Sequence, residues 1–250
     1  MKSTVVITVQ WKSISKFNIF SMNRFVFKLI ALFTMLLDHI AFIFLDSGTL
    51  LHDIFRLVGR ISFVLFAYMI AEGYHKTKDI NKYLLRLGIF AGGIELALLG
   101  FYLIGGDNML ITFNIFWTLL VGLLSLYLFY HKNQYLKLLI IPLVFAAELL
   151  DLSYGGYGVL MILFFGVYRN KFTNFLHLLF LNLIFIHSPV LEFLGVTEFA
   201  KFPVMQWASI FAIIFIFLYN GELGKYRLKW FFYLFYPGHL LILYLLKFII

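Results

Sequence analysis

The chain has 250 residues, of which 63% are hydrophobic and 13% are charged, and its mean hydropathy is +0.95. A water-soluble domain averages about 45–50% apolar and about 25% charged residues, so this composition excludes a soluble globular fold and indicates a protein that lies in lipid. The net charge of +8 does not indicate a nucleic-acid partner, because the basic residues are scattered through short loops. The chain has no cysteine, which excludes disulfides, cysteine nucleophiles and cysteine-ligated zinc.

Residues 1–24 form a basic extension that precedes the first long apolar segment. This extension lacks the apolar core and the small-residue cleavage site of a convincing signal peptide. Met22 lies directly before the apolar segment. We therefore expect residues 1–21 to be either an upstream misassignment of the start or a basic tail or surface helix.

Nine apolar runs follow, each approaching the ~20 residues that a membrane-spanning helix needs. They predict an all-α, polytopic membrane helix bundle of about nine crossings, within a range of eight to ten, and place 25–250 in one domain. The sixth and seventh runs are short. The predicted spans are 27–45, 54–73, 83–104, 111–130, 135–151, 156–169, 172–187, 203–220 and 230–249.

The distribution of positive charge predicts the orientation of this bundle. With nine crossings, sixteen of the 20 lysines and arginines lie on the side that holds the N-terminus. Short loops rich in lysine and arginine stay in the cytoplasm. We therefore expect a multi-pass protein of the bacterial cytoplasmic membrane, with its N-terminus inside and its C-terminus outside.

Ionisable residues fall inside the first two predicted spans, where an unpaired charge costs about 2.5–3.5 kcal/mol on insertion scales. Asp38 and His39 lie in the outer half of the first span, and Arg60 lies about two turns into the second. Antiparallel helices bring Asp38 and Arg60 to similar depth, which predicts an ion pair. Gly59 would let the two helices approach closely. Because helical neighbours point about 100° apart, we expect only one of Asp38 and His39 to face a site.

Further polar residues are predicted at membrane depth. Glu95 lies midway along the third span, and His239 follows Pro237-Gly238 in the ninth. A purely structural interpretation stays open, because buried ion pairs and core histidines also bridge helices. Their convergence at outer-to-middle depth favours a functional site.

Five segments together are similar to the TraX family, whose founding activity is N-terminal acetylation of a conjugative pilin. They occur in the family's order across nearly the whole chain. The matching segments are KLIALFTMLLDHI (28–40), GRISFVLFAYMIAEGYHKTKDINKYLLRL (59–87), WTLLVGLL (117–124), AELLDLSYGGYGVLMIL (147–163) and YPGHLLILYLL (236–246). The chain departs from the family at Val64, where a proline is frequent, and at Ser153, where an aspartate commonly precedes the tyrosine and Asp151 could stand in.

The resemblance implies an acyltransferase that moves an acetyl group from cytoplasmic acetyl-CoA to an acceptor outside, with no metal. It also implies a set of positions to follow: Asp38, His39, Gly59, Arg60, Glu72, Gly73, Arg86, Asn114, Tyr154, Gly155 and His239.

Acyl transfer to an amine or hydroxyl needs a base and a donor for the developing oxyanion. Histidine suits the first role because it titrates near neutral pH. We expect His39 to be the base, oriented or balanced by Asp38, with Arg60 or Tyr154 stabilising charge. The alternative gives that role to His239 and leaves His39 structural.

The phosphates of coenzyme A are expected on a basic inner surface, although topology alone would also account for basic residues there. The candidate residues are Lys76, Lys78, Lys82 and Arg86, reinforced by Arg169, Lys171 or Arg227, with Asn114 as a further contact. The expected acceptor is the N-terminal amine of a secreted or pilin-like protein. O-acylation of a surface glycan and a non-catalytic transporter or membrane partner are the alternatives.

Overall fold

The computed structural model describes residues 21–103, 114–187, 192–193, 195, 201–226 and 229–249. Across these ranges the regular structure is helical, which confirms the predicted fold class. The extension 1–20 lies outside the described residues. The helices are α1 (Arg24–Phe44), α2 (Leu50–Lys76), α3 (Ile80–Leu103), α4 (Ile115–Phe129), α5 (Ile140–Leu149), α6 (Gly155–Val167), α7 (Lys171–Phe185), α8 (Ala212–Leu218) and α9 (Lys229–Ile249). Short 3₁₀ helices, Gln134–Leu139 and Val204–Phe211, lead into α5 and α8.

Three of these helices are long and apolar enough to cross a bilayer, judged by length and composition. They are α1, α2 and the part of α3 from Ile80 to Gly100. Among the others, α4, α6 and α7 are apolar but shorter than the ~20 residues of a straight crossing. The predicted spans thus correspond to observed helices, whereas the count of nine crossings and the cytoplasmic N-terminus stay predictions.

Neutral asparagine side chains begin three of the helices. The amide oxygen of Asn23 accepts from the backbone N–H of Phe25 at 3.0 Å, and Asn170 does the same for Phe172 at 2.8 Å. Asn114 caps α4 in this way. Asparagine is among the best N-cap residues, because its short side chain satisfies N–H groups that the first turn leaves unpaired.

Hydrogen bonds collect several helix ends at one end of the bundle, which we call the basic end. The N–H of Met22 donates to the Leu218 carbonyl at 2.8 Å, and Lys171 Nζ donates to the Tyr219 carbonyl at 2.6 Å. His75 contacts the Gly166 carbonyl at 2.7 Å. The starts of α1 and α7 therefore lie beside the ends of α2, α6 and α8. The opposite end, which includes the start of α6, is called the far end.

Helix α2 occupies the centre of the bundle and packs against α1, α4, α6 and α8. Helix α6 is almost entirely buried, and its contact with α4 depends on small residues. A Cβ atom at Gly122 or Gly166 would collide with Ile162 or Leu126 across this contact. Small residues permit this kind of backbone approach in membranes, where no hydrophobic force drives helices together.

Helix α3 lies at the periphery of the bundle. Leu85, Ile89, Leu96 and Leu103 are each exposed by more than three-fifths of their surface. Their spacing places them along one side of the helix. An apolar side of this kind is suited to contact with lipid.

Candidate functional site

A cavity of about 180 Å³ lies among α1, α2, α4 and α9, and we call it the His39 chamber. Its lining combines polar groups with aliphatic and aromatic side chains. Its lining residues are Leu32, Met35, Asp38, His39, Gly59, Ser62, Phe63, Phe66, Ile115, Phe116, Leu119, Ser153, Tyr154 and Tyr236. Asp38 and His39 both border it, so the expectation that only one of them would face a site is wrong. Adjacent side chains can flank a cavity that is wide enough to span their angular separation.

Asp38 is bound by two arginines of α2. Arg60 Nη2 donates to Asp38 Oδ1 at 2.6 Å, which confirms the predicted pair, and Arg56 Nη1 donates to Oδ2 at 2.9 Å. Arg60 also donates to the Arg56 carbonyl and contacts Gln206 Oε1 at 3.4 Å. Sequence reasoning missed Arg56 as a partner. Its signal was the spacing of four residues from Arg60, which puts both guanidiniums on one face of α2.

His39 has a different partner. Its Nδ1 lies 2.9 Å from Nε2 of His239, and Nδ1 of His239 lies 2.7 Å from the Phe235 carbonyl oxygen. Both carboxylate oxygens of Asp38 are engaged by arginine, and the expected role of Asp38 in orienting or balancing His39 stays a prediction. The two candidate bases of the sequence are thus brought together as one hydrogen-bonded pair, with His39 at the chamber and His239 behind it.

Tyr154 borders the chamber directly before the start of α6. Its ring stacks on Phe63 with centroids 3.7 Å apart and an angle of 6° between the ring planes. Ser153 also borders the chamber. Asp151 does not border it, because its side chain is 77% exposed and pairs with Lys201 at 3.3 Å. The N–H of Gly156 donates to Glu148 at 2.8 Å, which holds the start of α6 in position.

A second cavity, of about 410 Å³, opens at the basic end of the bundle and is called the basic pocket. Four cationic side chains and one carboxylate line it. They are Arg24, Lys28, Lys76, Arg86 and Glu72. Glu72 accepts from Lys76 Nζ and from the Tyr219 hydroxyl, both at 2.5 Å. Because the pocket has four cations and one carboxylate, Glu72 offsets only part of the positive charge.

The two cavities share four lining residues, which we call the neck: Leu32, Phe66, Phe116 and Leu119. One stripe of α1 runs through both cavities, because Arg24, Lys28, Leu32, Met35 and His39 recur at the three- and four-residue spacing of a helical face. From Lys28 to His39 this stripe covers about 16 Å along the helix axis.

Helix α2 presents a matching stripe. Gly59, Ser62 and Phe66 border the chamber, and Phe66, Gly73 and Lys76 border the basic pocket. One face of each helix therefore contributes to both cavities.

Arg227, one of the residues expected to hold coenzyme A, lies outside the residues that the structure describes, and the others differ in position. Lys76 and Arg86 line the basic pocket. Lys82 and Arg169 lie outside both cavities and are exposed; Lys82 is 82% exposed and pairs with Asp79 at 3.2 Å. Lys28 is a lining cation that sequence reasoning left out of its coenzyme A set. The sequence feature that could have identified Lys28 is its position one helical turn after Arg24 and one turn before Leu32.

Asn114 takes part in a polar contact between α3 and α4 outside both cavities. Its Nδ2 donates to Glu95 Oε2 at 2.7 Å and to the Ala91 carbonyl at 2.9 Å. The indole N–H of Trp117 donates to the same Glu95 oxygen at 3.2 Å. These bonds give Asn114 and the mid-helix Glu95 a structural role, and contact between Asn114 and coenzyme A stays a prediction.

Comparison with known proteins identifies the family of the chain. The family model described as "TraX protein" matches residues 23–247. The chain is 29% identical over 233 residues to a protein of Dichelobacter nodosus named "Probable fimbrial assembly protein FimC, serogroup H1", covering 88% of this chain and 94% of that protein. No solved structure matches. The match of the family model over nearly the whole helical bundle shows that the chain belongs to the TraX protein family.

Proposed function

We propose that this chain is a membrane-embedded acetyltransferase. It takes an acetyl group from acetyl-CoA at the basic end and delivers it to an acceptor amine in the His39 chamber. The observation that carries this proposal is the neck, through which the basic pocket adjoins a chamber bordered by a histidine, a carboxylate and a tyrosine.

The basic pocket fits the acyl donor by its charge. Coenzyme A carries several phosphate groups, and Arg24, Lys28, Lys76 and Arg86 supply four cations against the single carboxylate of Glu72. Arginine and lysine are the usual partners of phosphate oxygens. The apolar neck would then receive the uncharged arm of the donor and lead its thioester towards His39.

The polar groups of the chamber fit acyl transfer. The acceptor amine attacks the thioester carbonyl carbon, and His39 takes the proton that this nitrogen loses. The C–S bond breaks as the intermediate collapses, and the thiolate receives the proton from His39. We expect Tyr154, whose ring stacks on Phe63, to donate its hydroxyl hydrogen to the oxyanion. The arginines hold Asp38 and are not expected to touch the substrate.

The acceptor we propose is the N-terminal amine of a pilin-like or other secreted protein. The name of the Dichelobacter relative associates that protein with fimbrial assembly, which favours a protein acceptor over a surface glycan. The acceptor would approach from the far end, where Ser153 and Tyr154 border the chamber.

Purified protein in lipid nanodiscs, supplied with labelled acetyl-CoA, tests the donor half of the proposal. The wild type should release free thiol and transfer label to a peptide with a free N-terminus. His39→Ala should lose at least 100-fold in turnover, since general-base catalysis contributes about 10²–10⁴-fold, and should still bind acetyl-CoA. His131→Ala, which alters a histidine outside both cavities, is the matched control and should retain both properties.

Two outcomes would overturn the proposal. One is failure of the wild type to bind acetyl-CoA at millimolar concentration. The other is undiminished transfer by folded His39→Ala. For the acceptor, intact-mass analysis of secreted proteins in a deletion strain should show loss of one acetyl group from a peptide N-terminus. Unchanged proteins with altered surface glycans would instead indicate the O-acyltransferase alternative.

A further inference from the structure

The hydrogen bonds around His239 determine which of its nitrogens carries a hydrogen. Its Nδ1 lies 2.7 Å from the Phe235 carbonyl oxygen, and a carbonyl oxygen can only accept. Nδ1 of His239 is therefore the donor. A neutral imidazole has one N–H, so the Nε2 atom of His239 carries a lone pair.

The same reasoning extends to His39. The lone pair on Nε2 of His239 lies 2.9 Å from Nδ1 of His39, so His39 must donate the hydrogen of this bond. Two facing lone pairs at that distance would repel each other. His39 Nδ1 thus carries the hydrogen, and His39 Nε2 is left as the unprotonated nitrogen that a base needs.

The surroundings of His239 hold its ring in this position. Phe235 stacks on it with centroids 5.1 Å apart at 17°, and Tyr236 packs edge-on at 5.7 Å. His239 is 6% exposed and does not border the chamber, whereas His39 does. His239 therefore lies where it can orient His39 and cannot reach a substrate in the chamber.

We propose that His239 is the positioning residue for His39: it accepts the Nδ1–H of His39 and so fixes the tautomer and ring orientation that leave Nε2 as the base. This inference rests on the proposed function. When His39 takes the amine proton on Nε2, it becomes an imidazolium and its Nδ1–H bond to His239 strengthens. His239 keeps its own hydrogen on Nδ1 throughout. A carboxylate fills this place in serine-protease triads, but here Asp38 is engaged by Arg56 and Arg60.

Two substitutions at one position separate positioning from packing. In His239→Gln the amide oxygen can still accept from His39, whereas His239→Leu has no acceptor. We expect His239→Leu to lower kcat at least 100-fold, while its KM for acetyl-CoA stays within about twofold of the wild-type value. The kcat of His239→Gln should be at least tenfold higher than that of His239→Leu. In a His39→Ala background, His239→Leu should cause no additional loss, because the two residues act as one unit. Near-normal turnover by folded His239→Leu, or equal loss in both variants, would overturn the assignment.

A spectroscopic measurement tests the same assignment without turnover. Proteins labelled with ¹⁵N at histidine, compared between wild type and His39→Ala, identify the His39 ring signals. In the wild type, the ¹⁵N signals should show the hydrogen of His39 on Nδ1. The Nδ1–H tautomer should no longer be preferred in His239→Leu and should be preferred again in His239→Gln. A hydrogen on Nε2 of His39 in the wild type would contradict the proposal, even if acetyl transfer has been demonstrated. The expected tautomer with no transfer by the wild type would contradict the proposed function instead.

Discussion

The carboxylate of Asp38 lies against the backbone of Gly59, in the space that any side chain at residue 59 would occupy. This contact confirms the expected role of Gly59 in the close approach of α1 and α2. It also places Asp38 within reach of the arginines one residue and three residues away on α2.

Gly59→Ala should destabilise the protein, because the added methyl group collides with the Asp38 carboxylate. Overpacking of this kind costs about 1–3 kcal/mol. Gly92→Ala is the matched control, since a Cβ at Gly92 of α3 meets no atom within 4 Å. Thermal unfolding in detergent should show a lower melting temperature for Gly59→Ala and an unchanged or raised one for Gly92→Ala. Equal melting temperatures would show that the helices are not in close contact at Gly59.

Asp38→Asn should be more damaging, because it leaves Arg56 and Arg60 without their shared anion. Removing one partner of a buried ion pair costs about 3–5 kcal/mol, and the partial exposure of Arg56 favours the lower figure. Asp79→Asn removes a carboxylate from an exposed pair with Lys82 and should leave the melting temperature close to that of the wild type. If Asp38→Asn has the melting temperature of the wild type, the contact of Asp38 with Arg56 and Arg60 does not stabilise the fold.

Removing a cation that lines the basic pocket should weaken acetyl-CoA binding more than removing a cation that lies outside both cavities. Lys28→Gln and Arg86→Gln should each raise Kd about tenfold, which corresponds to ~1.4 kcal/mol. Lys82→Gln and Arg169→Gln remove the same charge outside both cavities and should change Kd less than twofold at physiological ionic strength. Titration calorimetry in nanodiscs provides the comparison. Similar losses in all four variants would show that general surface charge is responsible.

A bulkier residue in the neck should separate binding from turnover. Leu119 borders both cavities, so the larger ring in Leu119→Trp should obstruct entry of the thioester arm into the chamber. Acetyl-CoA should then bind the basic pocket while thiol release falls at least tenfold. Leu119→Met conserves the volume approximately and should retain turnover. Steady-state kinetics together with binding of the same samples checks this. Full activity of a stably folded Leu119→Trp variant would mean that the donor does not pass the neck.

Sequence reasoning succeeded where contacts follow from helix depth. The Asp38–Arg60 pair could be predicted because consecutive antiparallel helices bring equal depths together, and the apolar runs located the helices. Arg56 was not predicted as a partner of Asp38, although its spacing of four residues from Arg60 places both side chains on one face of α2.

Contacts between distant segments could not be predicted in this way. The bond between His39 and His239 joins residues 200 positions apart, and nothing in one sequence tells which face of α9 meets α1. Lys82 was predicted to bind coenzyme A and Lys28 was not, because basic residues are denser in the sequence around Lys82. Which cations line a cavity depends on the rotation of each helix, which local charge density does not report.

In the proposed reaction a thioester arm enters from the basic end and reaches the His39 chamber, and the chain's lack of cysteine permits a direct test of this route. A single cysteine at Ser62, which borders the chamber, can be treated with coenzyme A disulfide and examined by intact-mass spectrometry. Ser62→Cys should gain the mass of one coenzyme A, and excess acetyl-CoA should prevent this. Ser125→Cys, buried in α4 outside both cavities, should remain unmodified. An unmodified Ser62→Cys, or equal modification of both variants, would contradict the account.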